Sequence, residues 1–151
     1  MLESMGYASW VLHALLLIPA IGMAVVLLGS ERHAKYVSLA FATAAFLVSV
    51  PLWSAFNAGT AEFQFGGSFS WIPQWGIHYR VGVDGISVLL VLLTTALFPI
   101  AILGSYNYIA RRDRPFYAMM LLLEAGVLGV FISLDLFLFF MFWEIMLVPM
   151  Y

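Results

Sequence analysis

Two apolar runs joined by a short polar turn decide the fold: residues 115–151 read PFYAMMLLLEAGVLGVFISLDLFLFFMFWEIMLVPMY. Each run is apolar except for one glutamate, Glu124 before the turn at Asp135 and Glu144 after it. A hydrocarbon layer of about 30 Å is crossed by roughly 20 apolar helical residues. Neither run alternates apolar with polar residues, and backbone groups in lipid must pair within their own segment. Two antiparallel membrane helices are therefore predicted here.

The composition of the whole chain supports a membrane environment. Of its 151 residues, 64% are hydrophobic and 9% are charged, whereas about 25% of a soluble domain is charged. The net charge of −2 argues against a nucleic-acid partner, which calls for a basic face. The chain has no cysteine, which excludes a disulfide framework, a thiolate metal site and a cysteine nucleophile. No phosphate-binding glycine loop or nucleophile–base set is recognisable, so a soluble-type catalytic site is not expected.

Long charge-free runs also alternate with short charged segments toward the N-terminus. We therefore predict an all-α, polytopic membrane helix bundle with about five transmembrane helices. The predicted spans are Trp10–Gly29, Tyr36–Asn57, Gly85–Ala110, Pro115–Leu134 and Leu136–Tyr151. Residues 1–114 form an N-terminal three-helix region in this interpretation, and residues 115–151 form a second region.

The loop over residues 58–83 is rich in aromatic residues. Phe63-Gln64-Phe65 alternates, and Gly66 and Gly67 follow it, a pattern that predicts a short hairpin near the membrane surface. The tryptophans of the loop suit the headgroup region.

The basic residues predict the orientation. Five of the six lie in the two loops that this topology places on one side. They are Arg32, Lys35, Arg111, Arg112 and Arg114. Because basic loops stay on the cytoplasmic side, we expect these loops in the cytoplasm or the mitochondrial matrix, with the N-terminus outside.

Glu124 and Glu144 are the strongest functional signals. Glu124 lies 11 residues before Asp135 and Glu144 nine residues after it, which corresponds to depths of about 16 Å and 14 Å from the turn. An ionisable residue at this depth usually faces the bundle interior and marks an ion or proton path. The alternative is that each glutamate is simply protonated or forms a hydrogen bond to a neighbouring helix. Pro149 cannot donate to the carbonyl of Ile145, which suits either a water or cation site or a kink that helps packing.

The remaining acidic residues near the spans suit helix capping. Asp84 precedes the third predicted helix and Asp135 the fifth, where a carboxylate satisfies free N–H groups. Arg80 is expected to pair with Asp84 or with a partner subunit.

These residues belong to motifs that occur in a characteristic order. The motifs are Gly82–Ser87 (GVDGIS), Leu89–Thr95 (LLVLLTT), Leu121–Glu124 (LLLE), Gly129–Phe131 (GVF), Leu134–Phe137 (LDLF) and Phe142–Tyr151 (FWEIMLVPMY). In this order they resemble the N-terminal part of subunit M, an antiporter-like membrane subunit of proton-translocating NADH:quinone oxidoreductase, respiratory complex I. The resemblance is dense from Gly82 onward and loose over the first two helices.

The resemblance implies a role in proton translocation. Glu144 corresponds to the family glutamate that pairs with a lysine on a later helix, and Glu124 to one on the inward proton path. Residues 115–151 would begin the first antiporter-like repeat, and the chain would be an N-terminal fragment of the subunit. The implied partners are protons, the lipid bilayer and other membrane subunits of complex I, especially the neighbouring antiporter-like ones. Flavin and iron–sulfur clusters are expected in partner subunits and no cofactor in this chain.

Two other functions stay open. The chain could be a subunit of a related multisubunit sodium/proton antiporter, or a non-catalytic membrane scaffold. For its location we favour the bacterial plasma membrane over the mitochondrial inner membrane.

Overall fold

The computed structural model describes residues 6–108 and 113–151. Within them lie five helices and one two-stranded sheet. The helices are α1 (Tyr7–Leu28), α2 (Glu31–Ala55), α3 (Gly85–Ser105), α4 (Asp113–Ile132) and α5 (Leu136–Met150). The strands are β1 (Gln64–Ile72) and β2 (Ile77–Val83), joined through a 3-10 turn at Pro73–Trp75. The predicted helical membrane bundle is confirmed: α1 to α4 are long and apolar enough to cross a membrane, and α5 is a shorter apolar helix of 15 residues.

Two helix ends lie five residues from the predicted ones, and the others lie within three residues. α2 begins at Glu31 rather than Tyr36, because an acidic residue in the first turn complements the helix dipole. α3 ends at Ser105, whose hydroxyl donates to the carbonyl of Ile102 at 2.7 Å. The backbone then tightens, with the N–H of Tyr106 donating to Leu103. The predicted end of this span at Ala110, and the basic residues Arg111 and Arg112, lie outside the described residues.

The fourth helix is the centre of the bundle, since α4 packs against each of the other four helices. α1, α2 and α3 lie on one side of it, whereas α5 contacts α4 and β2 at the edge. The apolar core has one cluster near the sheet, which includes Leu12 and Leu128, and one at the opposite end, which includes Val26 and Leu121.

The buried face of α2 is made almost entirely of small residues. Its buried residues are Ala34, Ser38, Ala42, Ala45, Ser49 and Leu52. Small residues let membrane helices approach closely, which increases dispersion contact where lipid gives no hydrophobic driving force between helices. The Ser49 and Thr95 hydroxyls lie 2.7 Å apart and link α2 to α3. Nothing in the sequence pattern indicated this contact, because it depends on the rotation of two helices.

The predicted hairpin forms between α2 and α3 and covers one end of the bundle. β1 and β2 are antiparallel, and the buried side of β2 carries Val81 and Val83. The N–H of Leu134, at the α4–α5 turn, donates to the carbonyl of Arg80 at 2.9 Å. The hairpin therefore fixes the position of that turn.

Two glycines on α4 allow α5 to pack closely. A Cβ atom at Gly126 would lie 3.2 Å from the backbone of Met146, and one at Gly129 would overlap the ring of Phe142. Met146 and Phe142 are one helical turn apart, so they form the side of α5 that faces α4.

We expect Gly129→Ala to destabilise the chain by about 1–3 kcal/mol, because the added methyl group displaces Phe142 and separates the helices. The measurement is the unfolding midpoint in detergent. Gly104→Ala is the matched control, since nothing lies within 4 Å of its added Cβ. The double variant Gly129→Ala/Phe142→Leu should recover most of the loss, and a loss unaffected by the second change would contradict this packing.

Candidate functional site

The carboxyl group of Glu124 lies inside the bundle. Its side chain is 0% exposed, and neither carboxyl oxygen has a hydrogen-bond partner within residues 6–108 and 113–151. A buried polar group without a partner is costly, and a membrane interior offers little water to reduce that cost. Among the described residues, the buried side-chain oxygen and nitrogen atoms that lack a partner are the two carboxyl oxygens of Glu124, and such a group needs an explanation.

The neighbours of Glu124 on α4 show which helices surround it. Leu121 and Leu128 lie one turn before and after it on the same side of the helix. Leu121 packs against Gly22 of α1, since a Cβ at that glycine would lie 3.0 Å from its side chain. Leu128 belongs to the apolar cluster that contains Leu15 of α1. The carboxyl group thus lies between the two core clusters, near the middle of the bundle.

Glu144 lies on the outer side of the described bundle, where its side chain is exposed. α5 faces α4 through Phe142 and Met146, and Glu144 is two residues from each. Two residues correspond to a rotation of about 200°, which places Glu144 on the opposite side of α5. The expectation that intramembrane glutamates face the bundle interior therefore holds for Glu124 but not for Glu144 within the described residues.

The two glutamates do lie at similar depths. Phe142 lies opposite Gly129 and Met146 opposite Gly126, so Glu144 is level with residues 127–128. That level is about 5 Å from Glu124 along the helix axis, or one helical turn. The structure brings the two carboxyls to nearly one level but directs them to different sides.

Asp84 and Asp135 cap helices, as predicted. The Asp84 carboxylate accepts the N–H of Ser87 at 2.7 Å, and this bond holds the pKa of Asp84 below its usual 3.8. Asp135 accepts the N–H groups of Phe137 and Leu138, and the bond from Leu138 is the main reason that its pKa is also lowered. Asp135 also accepts the N–H of His78 at 3.3 Å. No sequence pattern indicated this contact between the turn and β2.

Arg80 does not pair with Asp84 within the described residues, and its pairing with a partner subunit stays a prediction. Arg80 is exposed and forms no ion pair there. Because the Asp84 carboxylate bonds to the first turn of α3, it points along that helix rather than toward β2.

Pro149 lies in the last turn of α5. After it, the N–H of Tyr151 donates to the carbonyl of Leu147.

The histidines of the described residues do not form a metal site. No group of three or more His, Cys, Asp or Glu side chains is close enough to hold a metal ion in that part of the chain. His13 stacks on Tyr79 with ring centroids 5.6 Å apart, and burial raises the pKa of the Tyr79 phenol. His33 bonds to the hydroxyl of Ser30.

No protein-family model matches the chain. Similar proteins are nevertheless found by sequence and by structure. NADH-quinone oxidoreductase subunit M of Rhodobacter capsulatus is 41% identical over 133 residues, which are 85% of this chain and 25% of that protein. The chain is homologous to part of subunit M.

The structural comparisons agree with this homology. A chain of respiratory complex I from Thermus thermophilus with bound NADH superposes with a TM-score of 0.75 at 28% identity, over 92% of this chain and 27% of that one. The Mrp complex from Dietzia sp. DQ12-45-1b gives a TM-score of 0.74 at 19% identity, over 91% of this chain and 15% of that one. The latter likeness shows the fold alone. The chain spans about a quarter of the length of the subunit M relative.

Replacing Glu124 with leucine should raise stability by about 1–3 kcal/mol, because the variant removes two buried oxygens that have no partner. The measurement is thermal unfolding in nanodiscs. Glu124→Gln is the matched control, since it keeps two buried polar atoms and should gain much less. A loss of stability in Glu124→Leu would show that the carboxyl forms bonds that stabilise the fold.

The two capping aspartates predict acid sensitivity. Because the pKa of each is lower in the folded chain, their stabilisation is complete above the usual value of 3.8 and is lost as the pH falls through the lowered value. Thermal unfolding between about pH 6 and pH 2 measures this. Asp84→Asn keeps a good capping residue without the charge, so its unfolding temperature should fall less at acid pH. An equal fall in the variant and the parent would exclude this explanation.

Proposed function

We propose that this chain is part of a membrane subunit of proton-translocating NADH:quinone oxidoreductase and carries part of its proton pathway. The observation that carries the proposal is the buried carboxyl of Glu124, which has no partner among the described residues. The homology to subunit M and the similarity to a chain of respiratory complex I support it. A carboxyl at this depth can accept and release a proton, and intramembrane ionisable groups commonly belong to proton relays.

In this proposal the chain itself transfers no electrons. NADH oxidation and quinone reduction take place in partner subunits, which hold the flavin and the iron–sulfur clusters. The sequence supports this division, because it has no cysteine to ligate a cluster and no glycine-rich dinucleotide loop. Partner subunits would then influence Glu124 and Glu144 through charge changes in neighbouring membrane helices.

Glu144 would act through a group outside the described bundle. Its side of α5 is exposed and otherwise apolar, with Trp143, Leu147 and Val148 beside it. A carboxylate facing lipid is unfavourable, so a covering helix would provide a cation or hydrogen-bond donor at this level. A lysine on that helix, as the family resemblance implies, could set the proton affinity of Glu144.

The proposed location is the bacterial plasma membrane with the N-terminus outside. The basic residues support this orientation, because the described ones other than Arg80 lie at the end opposite the hairpin. The Arg114 guanidinium donates to the carbonyl of Gly29 at 3.3 Å, and the Lys35 ammonium lies 5.2 Å from the ring of Tyr106. This end would face the cytoplasm.

The test is proton pumping in the intact complex reconstituted in vesicles. We expect Glu144→Gln and Glu124→Gln each to reduce NADH-driven proton uptake at least several-fold, because an amide cannot release a proton at neutral pH. Glu62→Gln is the matched control, since Glu62 is an exposed acid in the loop before β1. The complex with this variant should pump normally. Subunit content is measured for every variant.

The outcomes separate the alternatives. Normal pumping in both variants, with normal assembly, would exclude the proton role and favour a membrane scaffold. Sodium-dependent proton release without NADH oxidation would instead indicate a sodium/proton antiporter. A loss of pumping limited to one variant would assign the pathway to that glutamate.

A further inference from the structure

The hairpin has one apolar and one polar face. On β2, Ile77 and Val81 are buried, while His78 and Arg80 between them are exposed. Their partners across the ladder are polar too, since Ser70 pairs with His78 and Ser68 with Arg80. Because cross-strand partners project to the same side of a sheet, hydroxyl groups, an imidazole and a guanidinium share the outer face. This combination donates hydrogen bonds and carries positive charge.

A groove of about 250 Å³ lies beside Arg80 on this face. Its other walls include Ser68 and Leu134, the latter from the α4–α5 turn. Phe65 and Gly66 form a bulge in β1, since they lie opposite the single residue between Val81 and Val83. Phe65 has a positive φ of 58°. Gly66 of this bulge lines the groove.

The charge of Arg80 is not neutralised by the acidic residues near it in the fold. The groove has one cation and no acid in its lining. Asp84, four residues along the chain, bonds to Ser87, while Asp135 bonds to backbone N–H groups of α5 and β2. Within the described residues Arg80 thus keeps its hydrogen-bond donors for another group.

We expect the groove to lie near the level of lipid headgroups. It opens beside Leu134, at the turn that joins the apolar helices α4 and α5. Trp71 contacts the ring of Phe137 at the start of α5, with centroids 6.3 Å apart, and Trp75 is 76% exposed. Tryptophans in this position are typical of the interface between hydrocarbon and water.

We propose that this groove binds the phosphate of an anionic phospholipid, with Arg80 and Ser68 as its ligands. A guanidinium offers two parallel N–H donors that match phosphate oxygens, and the Ser68 hydroxyl lies across the ladder from it. The positive charge of Arg80 complements the phosphate, and a position near the headgroup level brings the guanidinium within reach of one. The site is independent of the proton pathway.

The test uses the full chain in phosphatidylcholine nanodiscs with spin-labelled phosphatidylglycerol, whose immobilised fraction is measured by electron paramagnetic resonance. We expect Arg80→Gln to raise the Kd for phosphatidylglycerol about tenfold, and Arg80→Lys to raise it less, because lysine keeps the charge but loses the fork. Arg32→Gln is the matched control. It removes the same charge from an exposed arginine at the opposite end of the bundle and should leave the affinity unchanged.

Three results would overturn the proposal. Equal weakening by Arg80→Gln and Arg32→Gln would indicate general attraction between surface charge and lipid. Displacement of the lipid by millimolar inorganic phosphate would indicate a site for free anions. Unchanged lipid affinity in Arg80→Gln would exclude a phosphate ligand role for Arg80, and loss of a neighbouring subunit from the intact complex carrying that variant would then assign the groove to a protein carboxylate.

Discussion

The requirement that every backbone polar group in lipid has a partner within the protein governs this fold. Helices meet it within a single segment, which explains why charge-free runs become helices. The hairpin, whose strands pair with each other, lies at the end of the bundle where water can reach its edges. Asp84 and Asp135 apply the same rule at helix starts, where their carboxylates accept N–H groups that have no helical partner.

Helix association depends on a second constraint, since lipid provides no hydrophobic force that drives helices together. Close contact replaces it. The small residues on α2 and the two glycines on α4 let neighbouring helices approach, and the Ser49–Thr95 pair adds a hydrogen bond. These contacts determine how each helix is rotated. Rotation in turn determines that Glu124 points inward, while Glu144 points away from α4.

Sequence reasoning predicted the number of helices, the hairpin and both aspartate caps, because each depends on local patterns of charge, apolar length and glycine. It also predicted the similar depth of the two glutamates, since depth follows from counting residues from the turn. It did not predict the outward direction of Glu144, which depends on which side of α5 meets Gly126 and Gly129. The same holds for Arg80, whose pairing depended on the direction of the Asp84 carboxylate. Contacts between elements decide these features.

Asp84 and Asp135 differ from Glu124 in their hydrogen bonding. Asp84 and Asp135 lie at helix starts and accept backbone N–H groups, so their charges stabilise the fold. Glu124 lies within a helix, where every nearby N–H donates to the helix itself, and its oxygens have no partner among the described residues. A leucine at this position would fill similar space without that cost. Stability therefore does not explain why a glutamate lies at this position. A role in proton transfer does, because fixed hydrogen bonds that favour one protonation state would hinder the binding and release of a proton.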